Sequence, residues 1–74
     1  MASKLKERNM QDFQLRVIEE KEQLFEKIDK LHKAVYGENS LLGKIDDEDY
    51  ILLQKQLVKM TEYYIILQQR VAKF

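Results

Sequence analysis

The chain has 74 residues, the length of one small domain, and we expect a single domain over residues 1–74. Thirteen Lys and Arg residues balance thirteen Asp and Glu residues, and this zero net charge argues against a general DNA or RNA binder, which needs a positive field. Cysteine is absent, which excludes disulfide frameworks, thiolate zinc sites and cysteine nucleophiles.

The first eleven residues are polar and charged, and the sequence has no apolar stretch as long as a signal peptide or a membrane span. We therefore expect a cytoplasmic protein with no membrane partner. Hydrophobic residues make up 45% of the chain and charged residues 35%, with two glycines and no proline. This composition is typical of long amphipathic helices and predicts an all-α fold.

A first helix is predicted over about residues 10–36. Its apolar residues recur mostly at steps of three and four and form one stripe, with a gap at Lys21. The stripe consists of Met10, Phe13, Val17, Leu24, Ile28, Leu31 and Val35. Both glycines, Gly37 and Gly43, fall in the loop predicted over residues 37–45. We expect Gly37 to end the helix in the left-handed conformation that glycine often adopts there.

A second helix is predicted over about residues 46–73. Asp46 is placed to cap its first turn, and Asp49 lies near the positive end of the helix dipole. Its main stripe alternates steps of three and four without interruption, which is the heptad spacing of helices that pack at shallow angles. The stripe consists of Tyr50, Leu53, Leu57, Met60, Tyr64, Leu67, Val71 and Phe74.

Two helices of similar length joined by a short loop predict an antiparallel two-helix hairpin. The second helix carries further apolar residues, which we expect to form a second face beside its main stripe. They are Ile51, Leu52, Val58, Tyr63, Ile65 and Ile66. A monomer would expose this face to water, and a chain of this size rarely buries enough core alone. We therefore predict that hairpins assemble into a homo-oligomeric helical bundle, mainly through the second helix.

Residues that would support catalysis or metal binding are scarce. His32 lies three residues after Asp29, a spacing that presents both side chains to one metal, but the second helix offers only Glu62 as a further ligand. A solvated histidine is the favoured interpretation. The serine and threonine residues have no base predictably within reach. We therefore predict no catalytic residue, no metal site and no cofactor, and we do not expect an enzyme.

Three charged residues, Arg16, Glu20 and Lys27, lie along the edge of the first stripe rather than on the opposite face. In a structural interpretation, Glu20 pairs with Arg16 four residues before it, and Lys27 extends outward along its aliphatic stem. In the alternative, Phe13, Arg16 and Lys27 line a pocket at a subunit boundary, where a ring stacks on a base and cations hold phosphate. Such a pocket would suit a small anionic ligand.

The second helix contributes two further candidates, Tyr63 and Arg70. Tyr63 and Phe13 are the aromatic residues that a ligand could reach, since most other rings fall on the stripes. Arg70 lies beside Tyr63 and Ile66 and would be drawn towards a subunit interface, where a salt bridge is its default role.

The joint spacing of residues over both helices resembles one known family. The positions that carry the resemblance are Phe13-Gln14-x-Arg16-Val17-Ile18-x-Glu20, Leu24, Lys27-Ile28 and Leu31 in the first helix, and Leu52-Leu53, Gln56-Leu57, Met60, Tyr63, Ile66-Leu67 and Arg70-Val71 in the second. From about Asp12 to Phe74, the chain resembles the helical-hairpin domain of small bacteriophage proteins that act as sponges for cyclic oligonucleotides. These are the anti-CBASS sponge and its relative that counters Thoeris defence.

The resemblance implies a compact homo-oligomer, a hexamer in that family, in the cytoplasm of the infected bacterial host cell. It implies that the protein sequesters cyclic dinucleotides, and also cyclic trinucleotides, without cleaving them and so blocks CBASS-type immunity. The family's aromatic and lysine contacts to cyclic dinucleotide fall on Phe13 and Lys27, where Phe13 departs from the usual tyrosine. An arginine of a separate cyclic trinucleotide site falls on Arg70.

Two departures from the family bear on the ligand and on the type of sponge. Ala34 stands where the family often has phenylalanine, which changes the expected shape of the pocket. The relative that counters Thoeris usually carries an additional domain, and its absence from this sequence favours the anti-CBASS type.

Two other functions stay open on the sequence alone. A structural or adaptor coiled coil would use its second apolar face to dock a partner helix or another copy, with no nucleotide ligand. A small helical enzyme of the chorismate mutase kind also sets cations among intertwined helices, but here the cations at the seams are few and a third helix is missing.

Overall fold

The computed structural model describes residues 11–74, and within this range the chain forms two α-helices and no strand. Helix α1 spans Asp12–Tyr36 and helix α2 spans Asp47–Val71, with 25 residues each. The helices pack against each other as a hairpin, which confirms the predicted all-α hairpin fold. The predicted start of the first helix, at Asn9 or Met10, lies outside the described residues. Within residues 11–74, no helix combines the length and the hydropathy needed to cross a membrane.

Side chains close the first turn of each helix, where backbone N–H groups lack partners within the helix. The Asp46 carboxylate accepts a hydrogen bond from the Glu48 N–H at 3.1 Å, which confirms the predicted cap of α2. At α1, the Gln14 side chain accepts a hydrogen bond from the backbone N–H of Gln11 at 2.8 Å. The start of each helix is therefore stabilised by a local polar contact that does not involve the other helix.

The end of α1 differs from the expectation for Gly37. Gly37 has φ −74° and ψ 179°, which is extended backbone, and the left-handed glycine is Gly43, with φ 76° in the loop. The Gly37 N–H donates to the Lys33 carbonyl at 2.9 Å, so this carbonyl is satisfied without a left-handed turn. A Cβ at position 37 would lie 2.5 Å from the Lys33 oxygen. Glycine is required there for close approach of the backbone, not for its sign of φ.

The core is a single line of apolar side chains between the helices. Its buried members are Val17, Leu24, Val35, Leu57 and Leu67, all of which belong to the predicted stripes. Val17 and Leu24, from the first half of α1, pack with Leu67, near the end of α2. The Tyr50 hydroxyl, at the start of α2, donates to the Val35 carbonyl at 2.6 Å. These contacts join opposite ends of the two helices, which are therefore antiparallel.

The further apolar residues of α2, which were predicted to form a second face, are exposed in the hairpin. Tyr63 donates a hydrogen bond to the Glu20 carboxylate on one side of the helix contact, whereas Val58 lines a groove with His32 and Tyr36 on the other. Tyr63 and Val58 are five positions apart, about 140° around the helix. The predicted second face therefore extends around the outer surface of α2, from one side of the helix contact to the other.

Candidate functional site

One side of the hairpin, which we call the cation flank, is formed by Arg16, Glu20 and Lys27 of α1 with Tyr63 and Arg70 of α2. At about 100° per residue, the three α1 side chains leave the helix within about 40° of one another. The hydrogen bond from the Tyr63 hydroxyl to Glu20 places Tyr63 on the same side. Arg70 follows Tyr63 by two helical turns and shares its direction to within about 20°. The cation flank therefore contains four of the five predicted ligand-binding residues.

The Tyr63 hydroxyl and the Glu20 carboxylate form the electrostatic centre of this flank. Hydrogen bonding to Glu20 raises the pKa of Tyr63 above its ordinary value, because the carboxylate stabilises the protonated phenol. Partial burial and the negative charge of Glu20 raise this pKa further, whereas the positive charge of Arg70 lowers it. The charge of Arg70 thus acts on Tyr63 from two helical turns further along α2.

The predicted salt bridge between Glu20 and Arg16 is not present. The Glu20 carboxylate turns towards α2, where the Tyr63 hydroxyl is its donor. Among residues 11–74, Arg16, Lys27 and Arg70 have no carboxylate within salt-bridge distance. All three side chains are exposed, so their positive charges face the solvent and any anion that enters the flank.

Phe13 borders the cation flank at the open end of the hairpin, and its side chain is 57% exposed. The antiparallel register that sets Tyr63 opposite Glu20 sets Arg70 level with Phe13. The Phe13 ring meets the ring of Phe74 edge to face, with centroids 6.4 Å apart and an angle of 81° between the planes. More than half of the Phe13 side chain stays accessible in this arrangement.

Lys27 stands apart from the other predicted site residues. Fourteen residues separate it from Phe13, about 21 Å along the helix at 1.5 Å per residue. Seven residues, about 10 Å, separate it from Glu20. One hairpin therefore brings Phe13 and Arg70 to its open end, leaves Lys27 towards its middle and sets Tyr63 midway between the two levels. A small ligand that contacts both Phe13 and Lys27 needs a second copy of the chain.

The opposite side of the hairpin, which we call the His32 flank, holds an apolar groove of about 320 Å³. His32, Tyr36 and Val58 line it, and the His32 and Tyr36 ring centroids are 5.4 Å apart. Asp29 pairs with Lys33 at 3.1 Å and so does not join His32 at a common metal. Within the described part of the chain, no group of three His, Asp or Glu side chains is placed to hold a metal ion.

The hydrogen bond between Glu20 and Tyr63, which organises the cation flank, was not predicted from the sequence. Glu20 follows the buried Val17 by three residues, and Tyr63 precedes the buried Leu67 by four residues. An antiparallel alignment that sets Val17 opposite Leu67 would have set these side chains level with each other. The spacing carried no signal for their common side, because that depends on how each helix is rotated against its partner.

Comparison with known proteins gives one family. The family model described as Sequestin matches residues 11–73, which is nearly all of the chain and contains the whole cation flank. No curated protein and no solved structure matches the chain.

Proposed function

Since the chain belongs to the Sequestin family of phage sponge proteins, which sequester signalling molecules, we propose that it binds cyclic oligonucleotide second messengers without cleaving them. The family match over residues 11–73 is the observation that carries this proposal. The ligands are cyclic dinucleotides and also cyclic trinucleotides. Their sequestration in the cytoplasm of the infected bacterium would block CBASS-type immunity.

The charges and rings of the hairpin support this class of ligand. A cyclic dinucleotide carries two phosphates and two bases, so it needs cations and stacking surfaces in alternation. Phe13 and Tyr63 supply exposed rings, and Arg16, Lys27 and Arg70 supply cations without a carboxylate partner in residues 11–74. An exposed ring can stack on either purine, and a cation can hold phosphate whatever the base.

The separation of Phe13 and Lys27 supports a site shared between subunits. About 21 Å along α1 is more than one compact cyclic dinucleotide spans between its base and its phosphate. In the proposed assembly, a hexamer of hairpins, Phe13 of one copy lies beside Lys27 of another. Repetition of this pair around the oligomer would give several equivalent dinucleotide sites. Arg70, at the open end of each hairpin, belongs in this proposal to a separate trinucleotide site.

Calorimetric titration of the purified protein with a cyclic dinucleotide and a cyclic trinucleotide tests the proposal. The wild-type protein should bind both. Lys27→Ala should weaken dinucleotide binding by about 10- to 100-fold, which is the loss of one charge-assisted hydrogen bond, and leave trinucleotide binding unchanged. Arg70→Ala should weaken trinucleotide binding and leave dinucleotide binding unchanged. Lys30→Ala removes the same charge from the outer surface of α1 and should change neither affinity.

The non-cleavage part of the proposal has its own readout. After saturation with nucleotide, the complex is denatured by heat and the released nucleotide is identified by chromatography. Recovery of the intact cyclic molecule is the expected result. Recovery of a linear product would show that the protein is an enzyme, and failure of both nucleotides to bind would contradict the proposed function altogether.

A structural or adaptor role is the second candidate, and the exposed apolar residues of α2 favour it. Ile51, Val58 and Ile65 recur at seven-residue steps and are 47% to 55% exposed, as in a helix that docks a partner. In that role, Lys27→Ala and Arg70→Ala would leave the function of the protein unchanged. The nucleotide titrations above therefore separate the two candidates.

A further inference from the structure

Glu20 is the acidic residue of the cation flank, and its negative charge opposes the binding of a phosphate anion. It lies between Arg16 and Lys27 along α1, and Tyr63 of α2 donates a hydrogen bond to it. A neutral side chain at this position would favour an anion more. The function proposed above therefore does not explain why a charged carboxylate, and not a neutral acceptor, holds Tyr63 at this position.

The Glu20–Tyr63 pair offers hydrogen-bond acceptors and no donor. An ionised carboxylate accepts through both oxygens and donates nothing. Its Oε2 atom accepts the hydroxyl proton of Tyr63, so that hydroxyl has no second proton to give. The raised pKa of Tyr63 keeps this proton in place at neutral pH. Glu20 Oε1 has no hydrogen-bond donor among residues 11–74, and the side chain is exposed to an approaching ligand.

The two purine bases differ at the edge that would meet these acceptors. Guanine carries two adjacent donors, N1–H and N2–H₂, which match the two oxygens of a carboxylate. Adenine carries one donor, N6–H₂, beside the acceptor N1, so a carboxylate facing this edge sets two acceptors against each other. A bidentate contact of this kind distinguishes bases, whereas contacts to phosphate do not.

We propose that Glu20 is a specificity-determining residue that selects cyclic oligonucleotides containing guanine over those containing only adenine. The inference rests on the proposed function, because it assigns a preference within the same site. Contacts between the cations and phosphate cannot make this distinction, since the phosphate charges are the same in both ligands. The cost of an acidic residue in an anion site is then balanced by recognition of the base.

Titration calorimetry with cyclic di-GMP and cyclic di-AMP tests the inference on three proteins. The wild-type protein should bind cyclic di-GMP at least about 10-fold more tightly than cyclic di-AMP, as expected for one bidentate base contact. Glu20→Gln keeps the size of the side chain and adds a donor. It should bring the ratio of the two nucleotide affinities close to one, mainly because cyclic di-AMP binds more tightly. Glu19→Gln removes the same charge about 100° around α1 and should keep the wild-type ratio.

A second variant, Tyr63→Phe, leaves the carboxylate in place and releases its second oxygen, so the preference for guanine should persist. Equal affinities in the wild-type protein would overturn the inference, and so would a ratio that changes equally in Glu20→Gln and Glu19→Gln. Both results leave the proposed function intact, because nucleotide still binds. If neither cyclic di-GMP nor cyclic di-AMP binds, the proposed function is overturned together with the inference.

Discussion

A carboxylate on one helix holds the aromatic ring of the other at the centre of the cation flank. The Glu20–Tyr63 hydrogen bond joins residues that are 43 positions apart in the chain. A hydrogen bond with a charged acceptor is stronger than one between neutral groups, so it restricts the ring even at an exposed position. The Tyr63 ring is thereby held at Glu20 before any ligand arrives, which lowers the entropy cost of binding.

The raised pKa of Tyr63 predicts a pH-dependent contribution of this pair to stability. The folded state favours the protonated phenol, so its contribution is complete below the unfolded pKa, near 10.0, and is lost as the pH rises through the higher folded pKa. Tyr63→Phe should therefore be less stable than the wild-type protein at pH 7 and should approach it above pH 10. Denaturant unfolding at pH 7, 9 and 11, with protein concentration held constant, measures this difference.

Tyr36→Phe is the matched control, because the Tyr36 hydroxyl contacts a neutral amide, the Gln54 side chain at 3.3 Å. The free energy of unfolding of Tyr36→Phe should differ from that of the wild-type protein by the same amount at all three pH values. A Tyr63→Phe variant as stable as the wild-type protein at pH 7 would show that the bond to Glu20 contributes nothing to folding.

Local spacing identified the residues of the cation flank but misassigned a contact among them. Glu20 and Arg16 have the four-residue spacing of a helical ion pair, and such pairs contribute only a few tenths of a kcal/mol at exposed positions. Tyr63 on the other helix offers Glu20 a donor that a single-helix pattern cannot contain. Contacts within a helix can be predicted from the sequence, whereas competition from the neighbouring helix depends on how the two are rotated.

Helix α2 is the element whose start and contact face follow most directly from local chemistry. Its uninterrupted heptad stripe contains Leu57 and Leu67, both buried, and its capping residue Asp46 accepts the expected backbone hydrogen bond. Helix α1 was less predictable at its end. A glycine after a helix usually indicates a left-handed residue, but Gly37 serves a close approach to Lys33 instead. A close backbone approach of this kind cannot be predicted from the sequence, because it depends on the path of the chain after the helix.

Removal of the Asp46 cap should destabilise the hairpin through α2. Asp46→Ala leaves the Glu48 N–H without its side-chain acceptor, and the expected loss is about 0.5–2 kcal/mol in the free energy of unfolding. Asp46→Asn keeps an acceptor oxygen and should lose much less. Thermal or denaturant unfolding of both variants measures the difference. Equal losses for alanine and asparagine would show that charge, not the hydrogen bond, is what the cap supplies.

Residues 11–74 form a thin hairpin with more large hydrophobic residues exposed than buried. This hairpin measures 51 × 20 × 15 Å, and within these residues each helix has one neighbour and no second layer covers its outer sides. Five apolar residues are buried, whereas twelve large hydrophobic residues are at least 38% exposed within residues 11–74. A core of this size supplies little stability alone, and exposed apolar area of this extent usually marks an interface. The fold of one hairpin was predictable from helical periodicity, but the arrangement of several copies was not.

Association of hairpins is the prediction on which a shared ligand site depends. Ile65 is 47% exposed near the open end of α2, and an aspartate there would introduce a charge that cannot be desolvated in an apolar interface. Ile65→Asp should therefore shift the protein from oligomer to monomer in light scattering after size-exclusion chromatography, and nucleotide affinity should fall with it. Asn39→Asp adds the same charge in the exposed loop and should leave both properties unchanged. A wild-type protein that is a stable monomer at micromolar concentration would contradict the prediction, because Phe13 and Lys27 of one chain are too far apart to hold one small ligand.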